Sequence, residues 1–431
     1  MALRISQLIA LTALAGMSSV ACGSTSDDGS SDDGAGAGSG GGPGGGGGGT
    51  GECTEEEAYV PGNNCFPGKA DPCKDPLNSG FPGDEYCLEP PTDGYQMHVG
   101  PENYDDPAEL EKWILPPGGY PVGDPRREAI GEGADINWCY FMRTPNTEDI
   151  YVGESFSRMR PGSHHYISFA LPRGSELPDS TEPRDCSERD AAVAGGANFL
   201  SGATRSVQNV SMYGDAPEDK GLGSLVLANQ QLSQNLHFVN IGDEEVLQEI
   251  WVNTTRVPTE SVTDKVRAMT WIGGVGMNIP YGAHQLVENT PCDAPADIPQ
   301  ARMLGVTAHA HANTLRVSMY QIGADGTKTP IFDEFNWTEP TVWRFSSSVT
   351  NPTPDLATSK SGADLSGLFY AKPGDKFGWE CEVINKSPDK NNLVFSDKAY
   401  SGEMCNVFGM YSSPLAERPW SCYSLAGGKD I

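Results

Sequence analysis

The sequence predicts an all-β protein with two consecutive β-sandwich domains, and three observations carry that expectation. Short runs rich in β-branched and aromatic residues recur, among them Trp138 to Met142, Ile150 to Val152, His165 to Phe169, Leu236 to Asn240 and Ile250 to Val252. Turn signals such as Pro161-Gly162 and Gly214-Asp215 separate them, and convincing helical periodicity is scarce. A second series follows, with Leu304 to Val306, Leu315 to Ile322, Phe377 to Val383 and Cys405 to Tyr411. These strands occupy about 290 residues, more than one sandwich needs. The expected domains are 131–258 and 259–425, joined through the polar stretch Val257 to Asp264.

The chain begins with Met1 to Ala21, in which Arg4 precedes an apolar run from Leu8 to Val20. The run is too short to span a bilayer and ends on small residues, as a cleaved export signal does. Ser19-Val20-Ala21-Cys22-Gly23 resembles a bacterial lipobox, with serine where an aliphatic residue is usual. Lipid attachment at Cys22 is the expectation and simple secretion the alternative. From Gly23 to Gly51 the chain is almost wholly Gly, Ser and Asp, a composition that cannot bury a core. Segment 22–52 therefore reads as a tether, holding an extracytoplasmic protein away from a membrane it meets only through the lipid.

The formal charge of −29 argues against nucleic acid or an anionic membrane surface as partner, because no basic cluster is present to neutralise phosphates. Setting Cys22 aside from the 11 cysteines leaves an even number, as a disulfide framework in an oxidising compartment requires. Cys53, Cys65, Cys73 and Cys87 crowd into a Pro- and Gly-rich segment, so 53–130 is expected to be a small irregular preface stapled by two local bridges. A zinc knuckle is the alternative, but CxxC spacing is absent.

Histidine placement carries the chemistry. The chain has 7 histidines. His309 and His311 stand two apart in the run Leu304 to Tyr320, so on a strand both imidazoles share a face and can converge on one metal. An HxH pair also arises by chance, and needs a third ligand to mean more. His164 and His165 are adjacent, and regular strand geometry would point them to opposite faces. A bulge near Pro161-Gly162 would bring them together, with His237 as third ligand for copper, zinc or iron. For His309 and His311 the third candidate is Met404, between turn residues and a strand-like run. Methionine is ordinarily core filler, yet a thioether beside two imidazoles selects Cu(I). His98 is read as solvated or structural, and His284 as a loop residue supplying no ligand.

The order HH, H, HxH, M resembles the copper type II, ascorbate-dependent monooxygenases, the family of peptidylglycine α-hydroxylating and dopamine β-monooxygenases. Cys139-Tyr140-Phe141-Met142-Arg143, Arg160 to Phe169, Asn278 to Cys292, His309-Ala310-His311 and Glu403-Met404-Cys405-Asn406 all look like blocks of that family, over residues 135 to 423. The resemblance implies two jelly-roll-like antiparallel sandwiches flanking a solvent-accessible cleft. It implies two coppers per chain, an electron-transfer copper on His164, His165 and His237 and an oxygen-activating copper on His309, His311 and Met404. Ascorbate would be the reductant, dioxygen a co-substrate, and a C–H bond of a small molecule or peptide the target. It further implies disulfides Cys139–Cys186, Cys292–Cys422 and Cys381–Cys405, the last pinning the strand after Met404.

Departures from the family pattern fall at substrate positions. Thr307 stands where peptide-hydroxylating members carry a carboxylate-binding arginine, and Phe408 where they carry a tyrosine, whereas Asn406 is retained. Without the guanidinium, glycine-extended peptides lose a bidentate contact. Three function classes follow: a copper monooxygenase acting as a monomer, a non-catalytic copper-binding or sequestering protein, and a surface interaction protein with decayed sites. Intact ligand sets disfavour the third.

Overall fold

Alternation along the strands sets the architecture. A computed structural model describes residues 52–53, 66–67, 73–75, 77–119, 135–174, 176–186, 197–204, 207–209, 216–240, 242–338, 340–346 and 367–431. Residues 1–51, which hold the segment read as an export signal, Cys22 and nearly all of the segment read as a tether, lie outside these residues, as do the side chains of Cys53 and Cys65.

The first sandwich is built from β1 (Gly94–Val99), β2 (Asp135–Arg143), β3 (Ile150–Met159), β4 (Ser163–Ala170), β5 (Ser180–Asp185), β6 (Asn198–Ala203), β7 (Leu222–Val226), β8 (Gln231–Val239) and β9 (Ile250–Val257). One sheet runs β5-β2-β8-β4-β6, and the other β7-β3-β9-β1. Between them pack Met97, Trp138, Tyr140, Tyr166, Leu236, Phe238 and Ile250. The second sandwich comprises β10 (Asp264–Ile272), β11 (His284–Glu288), β12 (Ala301–His309), β13 (Thr314–Ile322), β14 (Lys328–Glu334), β15 (Val342–Arg344), β16 (Lys376–Ile384) and β17 (Asn406–Ser413). Its sheets run β15-β12-β17-β10 and β14-β13-β16-β11. Trp271, Met303, Met319, Phe332, Trp379 and Tyr411 fill the space between them. The expected all-β fold is what the chain forms, with Pro107–Trp113 the only α-helix among the described residues.

The two sandwiches share a sheet. Leu222 and Gly223 of β7 pair in parallel with Asp264 and Lys265 of β10, joining four strands of each sandwich into one continuous surface. β9 ends at Val257 and β10 begins at Asp264, with a short 3-10 turn at Thr259–Ser261 between them.

Strand β2 is buried on both faces, and the second sandwich explains why. Ile136, Trp138 and Tyr140 point into the first core, whereas Cys139 and Phe141 join Phe169, Phe199, Val266, Leu304, Phe408 and Met410 in an apolar cluster drawn from both sandwiches. The solvent-accessible cleft implied by the resemblance is thus, in this structure, a packed interface. Buried polar contacts cross it too: Arg302 Nη1 donates to the Glu218 carbonyl at 2.7 Å, and its other terminal nitrogen bonds the Asp219 carboxylate.

The segment read as an irregular preface belongs partly to the first sandwich. β1 lies on the sheet edge beside β9, because its alternation buries Tyr95, Met97 and Val99. Glu249, 0 % exposed, accepts from Arg160 Nε at 2.6 Å and from Tyr104, and bonds His98 Nε2 at 2.8 Å. His98 also stacks on Trp251, so its role is structural. The Cys73–Cys87 bridge is one of the two local bridges expected there, and Cys139–Cys186, Cys292–Cys422 and Cys381–Cys405 are all formed. His284 opens β11 rather than sitting in a loop, paired in register with Ile384 and bonded to Glu382 at 2.8 Å.

At the other end of the same strand, Glu288 has its carboxyl held down to about 2 by Lys429 and then Lys328. A carboxylate with a depressed folded pKa stabilises fully above its unfolded value, and that stabilisation is lost as pH falls toward the folded one. Glu288→Gln is therefore expected to lower unfolding free energy at pH 7 by at most about 1 kcal/mol, given solvent screening, and by less at pH 3. Denaturant titrations at both values check this.

Candidate metal centre

Strand alternation in β8 places Leu232, Leu236 and Phe238 in the first core, leaving Ser233, Asn235 and His237 on the face turned to the second sandwich. On the neighbouring strand β4, His165 is the register partner of His237, so the two imidazoles stand side by side. The next pair along is Phe238 with Ser163, which leaves His164 as an unpaired extra residue. This is the bulge that adjacent histidines require. It follows Gly162, whose φ of +90° makes the turn that β-carbon-bearing residues rarely adopt. His164 and His165 consequently lie on the same side, with ring centroids 5.0 Å apart, and each is 5.0 Å from His237.

The second sandwich adds its pair. His309 is the last residue of β12 and faces Asn406 of β17. His311 lies beyond the strand end, in the turn before β13, so strand alternation alone does not align the two rings. The Glu403 carboxylate does so instead, accepting from the backbone N–H of His311 at 2.6 Å and of Met404 at 2.9 Å. The His309 and His311 rings end up 5.3 Å apart.

The five histidines of the two predicted ligand sets meet in one cluster. His165 and His309 have centroids 4.7 Å apart, and His164 is 5.9 Å from His311. All five imidazoles are buried, His237 and His311 completely. His164 Nε2, His165 Nδ1, His237 Nδ1 and the ring nitrogens of His311 have no hydrogen-bond partner. Leaving such groups unsatisfied costs about 1–3 kcal/mol each, so a convergent set of them fits a transition-metal ion. Burial, followed by the neighbouring imidazoles, pushes His164, His165 and His311 well below the usual histidine range, which keeps them neutral and able to donate lone pairs.

Residues outside the predicted set orient these ligands. Asp135 bonds His237 Nε2 at 2.6 Å, which directs the free Nδ1 into the cluster. Burial raises the Asp135 carboxyl, but the His237 hydrogen bond and nearby positive charge outweigh it and hold the pKa below its ordinary value. Asn235 Oδ1 meets His165 Nε2 at 3.2 Å, while its Nδ2 donates to Asn137 and to the Trp138 carbonyl, so the amide cannot turn. Asp135 also accepts from the backbone N–H of Ala399 at 2.6 Å, reaching into the second sandwich. These residues were missed because a lone acid at a strand start carries no motif; only the β2–β8 pairing places it. Asp135→Asn is expected to weaken metal binding by about 10–100-fold without unfolding the protein, as a competitive chelator titration would show.

Met404 is half-buried, with Sδ 3.5 Å from Asn406 Nδ2, and Asn406 in turn accepts from the Gly273 N–H at 3.1 Å. No known family profile matches this chain, and no characterised protein matches its sequence.

Thr307 and Phe408, paired across β12 and β17, line a narrow cavity of about 30 Å³ that ends at His165 and His309. Ile167, Phe199 and Val342 complete its walls, and among the described residues no charged side chain lines it. Asn406 is not part of that lining; it steadies the Met404 thioether.

Proposed function

We propose that this chain is a copper-dependent monooxygenase that hydroxylates a C–H bond, taking electrons from a reductant such as ascorbate. The observation that carries the reading is the convergence of five buried imidazoles from two sandwiches, four of which, His164, His165, His237 and His311, keep at least one ring nitrogen without a hydrogen-bond partner, with Glu403 accepting from the backbone of both His311 and Met404. His164, His165, His237, His309, His311 and Met404 would hold the metal, and the mixture of imidazole and thioether suits copper. Copper bound there would supply the one-electron and dioxygen chemistry, which no side chain can.

The protein's own contribution is positional. Asp135 and Asn235 fix the ring orientations of His237 and His165. The apolar interface keeps bulk water away from the cluster. The cavity beside His309 would have to widen to admit a substrate segment, and its uncharged walls favour a neutral, apolar one over a carboxylate or an ammonium ion, whose burial without a partner is costly.

The complete burial of His237 and His311 supports a second reading, a protein that binds copper without turnover. Oxygen consumption by copper-loaded protein separates the two. Consumption that needs both ascorbate and a neutral C–H substrate is expected; none with any substrate in a panel of neutral, anionic and cationic compounds would leave sequestration as the better account.

A further inference from the structure

The resemblance divides the imidazoles by sandwich, but the distances divide them otherwise. Two triads have ligand atoms all within 4.8 Å of one another: His164 with His165 and His309, and His164 with His237 and His311. Each draws on both sandwiches. We propose that the first metal ion bound by this chain sits across the two sandwiches on one of these mixed triads, with His164 as the common ligand, so that the ion ties them together.

The proposal rests on reading the cluster as a metal centre, and not on any hydroxylation. The contact between His165 and His309 across the sandwiches, 4.7 Å between centroids, is as close as the 5.0 Å contacts among His164, His165 and His237 within the first sandwich. Nitrogens around a tetrahedral zinc ion lie roughly 3.3 Å apart, so either triad reaches that spacing through small side-chain shifts. Because both triads call on His164, they are alternatives for one ion. The extra residue of the β4 bulge is what places His164 within 6.0 Å of His309 and 5.9 Å of His311. The interface beneath is already apolar and packed, so a bridging ion adds to a closed arrangement and need not create one.

The test uses Zn(II), which is redox-silent and accepts an all-imidazole site. The full-length protein is titrated against a competing chelator as wild type, as His164→Ala and as the double variant His309→Ala with His311→Ala. The double variant retains His164, His165 and His237, yet its affinity for the first ion is expected to fall at least about 100-fold; His164→Ala should do the same although His309, His311 and Met404 remain. One ion held at wild-type affinity by either variant would mean separate sites and overturn the proposal. Since substitutions in a buried cluster can disturb folding, wild-type protein with one equivalent of Zn(II) is also followed by hydrogen exchange. Protection should rise together in residues 163–170 and 301–309; a rise confined to one sandwich overturns the proposal. Oxygen consumption by copper-loaded protein is scored separately: a bridging zinc site in a protein without turnover would sink the monooxygenase reading alone, and turnover with separate zinc sites would sink the bridge alone.

Discussion

Copper-loaded protein carrying Met404→Ile is expected to lose ascorbate-driven oxygen consumption by about 100-fold or more while remaining folded. Removing a residue that merely orients a metal ligand costs about 10–100-fold, so removing a ligand should cost at least as much. The fold should survive, because Met404 is half-buried and stands outside the hydrophobic clusters that fill the two sandwiches. Isoleucine keeps the side chain's bulk but discards the thioether, the one soft donor in an otherwise imidazole set. Cu(I) affinity should therefore drop while Zn(II) affinity holds. Equal effects on the two ions, or turnover within a few-fold of wild type, would remove Met404 from the ligand set.

Glu249→Ala is expected to destabilise the protein by about 3–5 kcal/mol. Arg160 and Glu249 are both 0 % exposed, and the guanidinium makes four attachments: to Glu249 Oε2, to Asp84 Oδ1 at 2.9 Å, and to the Phe81 and Pro82 carbonyls. Losing the Glu249 carboxylate leaves the buried Arg160 guanidinium with the partly exposed Asp84 as its one remaining carboxylate, and leaves the Tyr104 hydroxyl and His98 ring without their shared acceptor. Segment 77–119 is attached to the first sandwich through these groups as much as through β1. Urea or guanidinium unfolding monitored by tryptophan fluorescence should show the loss, with Glu249→Gln falling between the variant and wild type because an amide still accepts hydrogen bonds. A change below about 1 kcal/mol would show that the ion pair's desolvation cost nearly cancels its attraction.

Several elements were legible from local pattern alone. The period-two runs around Trp138, Ile167, Leu236 and Ile250 became β2, β4, β8 and β9, since a side-chain face is set by each residue and its next-nearest neighbour. The adjacency of His164 and His165 was itself informative, because two neighbouring histidines can share a ligand role only where the strand is bulged, and a bulge is there. The three disulfides implied by the family resemblance are also formed. Other elements were illegible for equally physical reasons. β1 lies in a Pro- and Gly-rich stretch whose composition hid a six-residue strand stabilised by the sheet edge it joins. His311 satisfied the arithmetic of a strand pair, yet it reaches the cluster through a turn held by Glu403.

What the sequence by itself determined about this protein is its secondary-structure class, because that depends on residue type and short-range spacing. What only the tertiary structure decided is how the histidines are shared. Histidines that sequence order assigns some to each sandwich become a single buried cluster, because Cys139, Phe141, Phe199, Leu304 and Phe408 pack the sandwiches face to face. Asp135 and Asn235 gain their roles in the same way. Each acts across a β-pairing to a residue 70 to 102 positions away, a distance over which local periodicity carries no information and burial carries all of it.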